Sequence, residues 1–133
     1  MDFLSALHVS ASGLAAERTR VNIASSNLAN AESTRGPDGQ PYHRKDPVFE
    51  ATPFEGELEG VKVARIQEDQ GPGKKVYSPG HPDADENGFV TFPDVNPINE
   101  VVNLLSAQKA YEANATAVDT LKGMASRALD IAR

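Results

Sequence analysis

The run of residues whose types and spacing best fit metal chemistry lies at residues 83–88, which read Asp-Ala-Asp-Glu-Asn-Gly. Side-chain oxygens at Asp83, Asp85 and Asn87, followed by Gly88, are typical of the start of an EF-hand calcium loop. Asp94 stands at the twelfth loop position, where the longer Glu normally supplies two oxygens. Prolines on both sides oppose the flanking helices of that motif. We therefore interpret the run as a polar turn leading into a strand, with calcium binding as the alternative.

Other catalytic or cofactor-binding patterns are weak. His8, His43 and His81 are far apart in the sequence, and no strand is predicted before Ser12-Gly13, as a nucleophile elbow requires. We expect no catalytic residues, no bound metal and no cofactor, and therefore no enzyme.

The composition of the 133 residues excludes several further classes. There is no Cys, so neither disulfides nor thiolate metal sites can form. The net charge of −6 argues against nucleic acid as the main partner. Because no apolar run reaches 18 residues and Met1-Asp2-Phe3 lacks a basic start, we expect neither a membrane span nor a cleaved signal peptide.

Proline and charge divide the chain into three parts. All nine prolines lie between Pro37 and Pro97, and eight of the ten glycines lie between Gly36 and Gly88. Residues 1–34 and 96–133 carry net charges of −1 and 0, whereas residues 35–95 carry −5. We expect two helical arms and a turn-rich middle region with these boundaries.

The sequence of the first arm predicts a helix from about Phe3 to Leu28, with Asp2 as its N-cap. Gly13 favours close approach of a neighbouring helix, and Asn30 suits a left-handed residue at the helix end. Apolar residues recur at alternating intervals of three and four, as in a coiled-coil seam, with two polar interruptions: Leu4, Leu7, Ala11, Leu14, Arg18, Val21, Ser25, Leu28.

The second arm predicts a helix that begins after an Asn96 cap, with Pro97 in its first turn, and continues to about Ile131. At 1.5 Å per residue, this helix is about 52 Å long and the first about 40 Å. Its apolar stripe contains Val101, Leu104 or Leu105, Gln108, Tyr111, Ala115, Val118, Leu121, Ala125 and Leu129.

Two helices of this length predict an α+β fold in which the arms pair as an antiparallel coiled-coil hairpin around a small β- and turn-rich middle region. The simplest expectation is that the two stripes bury each other. Because alanine is frequent on several sides of both helices, we also expect surface for other subunits.

The middle region predicts a turn at residues 36–39 and strands at residues 61–66, 76–77 and 89–92. Its expected core is small and consists of Phe49, Phe54, Val61, Val63, Ile66, Val76, Tyr77, Phe89, Val90 and Phe92.

The helical arms carry two motifs that resemble those of bacterial flagellar axial proteins. The first pairs Ser12-Gly13-Leu14 with a later segment that contains Asn27, Ala29 and Asn30. The second is Ala110-Tyr111-Glu112-Ala113-Asn114, which is preceded by Lys109 where Arg is common in that superfamily. The middle region, with Gly-Pro-Asp-Gly at residues 36–39 and a Pro-Gly-containing segment at residues 77–90, resembles the proximal rod family, FlgC.

This resemblance implies a structural subunit of the flagellar basal-body rod. Such subunits assemble with other proximal and distal rod proteins, and with base components at the MS ring and export gate, into a helical tube that transmits motor torque in the periplasm. They are exported by the flagellar type III apparatus. The family-motif residues here are Ser12, Gly13, Leu14, Asn27, Ala29, Asn30, Tyr111 and Asn114.

From the stripes and the resemblance together, we predict residues of the two helices that contact other subunits. They are Leu4, Leu7, Ala11, Leu14, Val21, Leu28, Val101, Leu104, Leu105, Tyr111, Val118 and Leu121. The alternative function is a small soluble binding module, regulated by calcium, that uses the helical hairpin as a groove for a partner.

Overall fold

A computed structural model describes residues 3–54 and 58–132 of the chain. The fold is α+β: helix α1 (Phe3–Ala29) is followed by four strands and then by helix α2 (Pro97–Ile131). The strands are β1 (Lys45–Pro53), β2 (Glu59–Glu68), β3 (Lys74–Tyr77) and β4 (Phe89–Phe92). They form two separate antiparallel pairs, β1 with β2 and β3 with β4.

Both helices agree closely with the sequence prediction. The N-cap of α2 is confirmed, because the Asn96 side chain accepts hydrogen bonds from the backbone N–H groups of Ile98 at 3.0 Å and Asn99 at 3.4 Å. The predicted Asp2 cap of α1 lies outside the described residues. Asn30 does not adopt a left-handed conformation, since no described residue other than glycine has a positive φ.

Strand β1 is missing from the sequence prediction because it contains Pro47 and Pro53, which normally disfavour strands. A two-stranded sheet has only edge strands, where proline is tolerated. Pro47 lies opposite Ile66, and the pairing shifts by one residue between Val48 and Phe49. The turn predicted at residues 36–39 is confirmed: Gly39 has a φ of 78° and donates its N–H to the Gly36 carbonyl at 3.0 Å.

The expected core of the middle region is largely wrong. Of those residues only Val90 is fully buried, at 1% exposure, whereas Ile66, Val76 and Tyr77 are at least 48% exposed. The β1–β2 sheet packs on α1 and not on the β3–β4 sheet, so the two sheets do not share a core. The buried apolar residues lie on the two helices, on β4 and on the segment between β4 and α2: Ala16, Ile23, Ala24, Val90, Val95 and Ala107.

The two helices contact each other along their length. The Asn27 side chain meets Glu100, Arg20 hydrogen-bonds Ser106, and Gly13 faces Asn114. The last residues of α1 therefore contact the first turns of α2, and earlier residues of α1 contact later residues of α2.

The structure corrects the expectation that the two apolar stripes bury each other. The buried residues of α1 are Ser5, Ala16, Ile23, Ala24 and Asn27, and none of them belongs to the predicted stripe. With 3.6 residues per turn, that stripe is rotated by about 180° from the buried face. The predicted stripe of α2 likewise contains no buried residue, since the buried positions of α2 are Glu100 and Ala107.

Candidate assembly surface

The first half of the N-terminal motif joins α1 to its neighbours. The Ser12 hydroxyl donates to the Val9 carbonyl at 2.7 Å and accepts from the backbone N–H of Val61 on β2 at 3.1 Å. A Cβ atom added to Gly13 would lie 2.8 Å from Nδ2 of Asn114 on α2. The Ser-Gly pair thus contacts the sheet on one side and the second helix on the other.

Asn27, in the second half of the motif, is 1% exposed and forms four hydrogen bonds. Its Nδ2 donates to the Lys45 carbonyl at 2.7 Å, and its Oδ1 accepts from the Lys45 N–H at 2.9 Å. The same Oδ1 accepts from the Tyr42 hydroxyl at 2.8 Å, and Nδ2 also approaches Oε2 of Glu100 at 3.2 Å. One side chain therefore connects α1, β1, the preceding loop and α2.

Glu100 is a buried carboxylate with 1% exposure at the start of α2. Arg44 donates from Nε to Oε1 of Glu100 at 2.5 Å and forms a second ion pair with Asp46. Burial lowers the pKa of Arg44, but the hydrogen bonds and charges of Asp46 and Glu100 outweigh it, so the pKa lies above its ordinary value. The guanidinium therefore stays charged and compensates the buried carboxylate.

The last residues of the N-terminal motif close α1. Asn30 donates from Nδ2 to the Ser26 carbonyl at 2.8 Å, and the Ser33 hydroxyl donates to Asn30 Oδ1 at 3.1 Å. The Ser26 carbonyl also accepts from the backbone N–H of Asn30 at 3.0 Å, so the side chain and the main chain of Asn30 both bond to the last turn of the helix. Ala29 is exposed.

In the C-terminal motif, Asn114 meets Gly13, whereas Tyr111 is 39% exposed. Tyr111 lines an open groove between the two helices together with Gln108 and Glu112 of α2 and Arg18 and Val21 of α1. This groove contains residues of both predicted stripes.

The predicted subunit-contacting residues are exposed or half-buried. Leu4 is 68% exposed, Leu105 52% and Val101 40%. Ala11 is also exposed, and the half-buried members are Leu7, Leu14, Val21, Leu28, Leu104, Val118 and Leu121. The chain by itself leaves this apolar surface without a full covering.

The acidic run at residues 83–88 forms a turn in which the carboxylates of Asp83 and Asp85 bond to other groups of the chain. Asp85 Oδ1 accepts from the N–H groups of Asn87 and Phe89, both at 2.9 Å. Asp83 pairs with Arg35 at 2.6 Å and accepts from the Thr34 hydroxyl at 2.8 Å. Gly88 has a φ of 82°, as this turn requires. The geometry favours the polar turn and gives no support to calcium binding.

Within residues 3–54 and 58–132, no three His, Asp or Glu side chains lie together as metal ligands. His8 stacks on Phe54 with the ring centres 4.3 Å apart, and His81 Nδ1 accepts from the Asp83 N–H at 3.0 Å. No helix in the part of the chain that the structure describes is long and apolar enough to span a membrane.

Sequence reasoning missed Arg44 and Glu100, which join the helices to β1. A charged residue can be recognised from the sequence as a buried one only when the buried face of its helix is known. The predicted apolar stripe of α2 contains neither of the buried residues of that helix, so it gave no reason to single out Glu100.

Comparisons with known proteins agree with this arrangement. A family model described as "Flagella basal body rod protein" matches residues 7–37, and one described as "Flagellar basal body rod FlgEFG protein C-terminal" matches residues 86–131. The two matches contain both helical motifs.

Curated relatives match almost the whole chain. The flagellar basal-body rod protein FlgC of Salmonella typhimurium is 46% identical over 132 residues, covering 98% of both chains. Its counterparts in Escherichia coli O157:H7 and Borreliella burgdorferi are 44% and 38% identical, again over 98% of both chains. The chain therefore belongs to the FlgC family, and it is a structural subunit of the flagellar basal-body rod, acting in motility, and not an enzyme.

Proposed function

We propose that this chain assembles through its two helices into the tube wall of the rod, together with further copies and with other proximal and distal rod proteins. The observation that carries this proposal is the apolar stripe of α1, which lies opposite the face that the chain itself buries. Apolar surface that is rimmed by polar residues and only partly covered within the chain is typical of protein–protein contacts. A contact between different faces that does not close into a ring produces a helical filament.

The helices pair as an antiparallel coiled-coil hairpin. Contact positions on α1 fall at seven-residue intervals, at Gly13, Arg20 and Asn27. Their partners on α2 are Asn114, Ser106 and Glu100, which are also spaced by about two helical turns. A spacing of about two turns in both partners is typical of a coiled coil, and the opposite order of the contacts supports an antiparallel pair.

Residues 1–34 and 96–133 form the inner part of the rod, and residues 35–95 form the outer part. The exposed strands of the middle region, of which β3 is exposed throughout, support its position on the outside. In this arrangement the rod transmits torque across the periplasm and meets the MS ring and export gate at its base. The subunits reach it through the type III apparatus.

The experiment is complementation of the source bacterium after deletion of this chain. Leu14→Asp and Val21→Asp change the stripe, whereas the neighbouring changes Ala15→Asp and Asn22→Asp are matched controls at exposed positions. We expect both stripe variants to lose swimming and to be absent from isolated basal bodies, while both controls retain them. Circular dichroism of the four purified chains should show the same helix content, because both stripe residues are only half-buried within the chain.

Normal swimming by both stripe variants would contradict the proposed assembly surface. Absence of the unchanged chain from basal bodies would contradict the rod assignment as a whole.

A further inference from the structure

Ser12 and Asn27 lie far apart on α1, and each forms hydrogen bonds with the β1–β2 sheet. Ser12 accepts from the N–H of Val61, which lies opposite Ala51 of β1 in the sheet. Asn27 holds both the N–H and the carbonyl of Lys45, the first residue of β1. The two contacts therefore lie near opposite ends of the strand pair.

The spacing of these contacts is the same on the helix and on the strand. The 15 residues from Ser12 to Asn27 span about 22 Å of helix. The six residues from Lys45 to Ala51 span about 20 Å of strand. Strand β1 can therefore lie along α1, with one contact at each end, without stretching either element.

Both contacts are made to the main chain of the strands. Ser12 bonds a backbone N–H, and the Asn27 amide pairs with Lys45 in the way that a neighbouring strand would. Each polar side chain is fully used: the Ser12 hydroxyl also donates to Val9, and Asn27 has two further partners. Such bonds fix position and direction, whatever side chains the strands carry.

Gly60 makes the close approach at Ser12 possible. A Cβ atom at Gly60 would lie 3.0 Å from Ser12 Oγ and 3.6 Å from Ser12 Cβ. An ordinary side chain there would compete with the hydroxyl for the space beside Val61.

From these contacts we propose that Ser12 and Asn27 form a two-point anchor that makes α1 and the β1–β2 sheet one rigid body. A single contact would allow the sheet to pivot on the helix, whereas a second contact about 20 Å away prevents this pivoting. On the proposed function, on which this consequence rests, the anchor passes load from the tube-wall helices to the middle region.

The first test measures amide hydrogen exchange by NMR in the purified full-length chain. In Ser12→Ala the Val61 amide should exchange about five- to tenfold faster, and in Asn27→Ala the Lys45 amide should do the same, because each loses its acceptor. The matched controls Ser25→Ala and Asn22→Ala change exposed residues of α1 and should leave both rates unaltered. Unchanged exchange at Val61 in Ser12→Ala would overturn the anchor at that end.

A second test does not depend on the stability of these variants. The chain has no Cys, and the 3.6 Å between the two Cβ positions lies within the range of disulfides. Ser12→Cys/Gly60→Cys should therefore oxidise in air to a species that resists thiol alkylation. Ser12→Cys/Glu68→Cys is the control, since Glu68 lies about 26 Å further along β2. Equal alkylation of the two double variants would overturn the proposal.

This result is independent of rod assembly. A disulfide in the purified chain supports the anchor even if the chain fails to enter basal bodies, in which case the proposed function fails. A chain that enters basal bodies with both introduced thiols reactive refutes the anchor and leaves the proposed function intact.

Discussion

Gly13 of α1 faces Asn114 of α2 so closely that a Cβ atom on Gly13 would lie 2.8 Å from the amide nitrogen of Asn114. These two residues belong to the two sequence motifs that lie about a hundred positions apart in the chain. The motifs therefore meet in the folded subunit, and the missing side chain of glycine is what allows Asn114 to lie there.

This contact predicts that the effect of Gly13→Ala depends on Asn114. Alanine favours a helix over glycine by about 1 kcal/mol, but here the added methyl group must displace the Asn114 amide. In Asn114→Ala the obstacle is gone, so Gly13→Ala should raise the free energy of unfolding by up to about 1 kcal/mol. In the unchanged background the gain should be smaller or reversed.

Urea unfolding of the four chains in a double-mutant cycle measures this coupling. Additive effects of the two substitutions would show that Gly13 and Asn114 do not meet.

The buried ion pair predicts an unequal response to the loss of its two partners. Arg44→Met leaves the Glu100 carboxylate buried without its cation and should lower the free energy of unfolding by about 3–5 kcal/mol. Glu100→Gln should cost less, because the half-buried Arg44 retains its pair with Asp46.

The double variant Arg44→Met/Glu100→Leu removes both charges and should recover most of the loss, which chemical denaturation measures. Arg65→Met changes an exposed arginine on β2 and serves as the control. A loss in that control as large as in Arg44→Met would contradict the importance of the buried pair.

The N-cap of α2 predicts a smaller effect. Asn96→Ala removes the acceptor of two backbone N–H groups and should lower the free energy of unfolding by about 1 kcal/mol. Asn99→Ala, three residues later and exposed, leaves the cap in place and should have no such cost. Thermal unfolding followed by circular dichroism compares the two, and equal midpoints would count against the cap.

The acidic turn predicts no specific uptake of calcium. Asp83 is occupied by Arg35 and Thr34, and Asp85 by two backbone N–H groups, so a cation would have to break these bonds. Calorimetric titration with calcium should give only heats of dilution, and the thermal midpoint should be the same with calcium and with a chelator. A saturable heat with a one-to-one stoichiometry would revive the calcium-regulated alternative.

The local features of the sequence predicted much of the secondary structure. The proline-free arms and the Asn96-Pro97 start determined the two helices, because capping and φ restriction act between near neighbours. Short-range sequence patterns also predicted the glycine turn at residues 36–39 and strands β2, β3 and β4. Strand β1 was missed because its prolines are acceptable only where each strand is an edge, a property of the finished sheet.

The sequence by itself thus determined where the chain is helical, where it turns and to which family it belongs. Only the tertiary structure decided which side of α1 is buried, since the periodic apolar stripe and the face of small and polar residues are both compatible with a helix. The buried face combines the small Ala16 and Ala24 with the hydrogen-bonded Asn27 and one larger apolar residue, Ile23. Burial of that face leaves the apolar stripe exposed or half-buried, because the stripe lies on the opposite side of the helix.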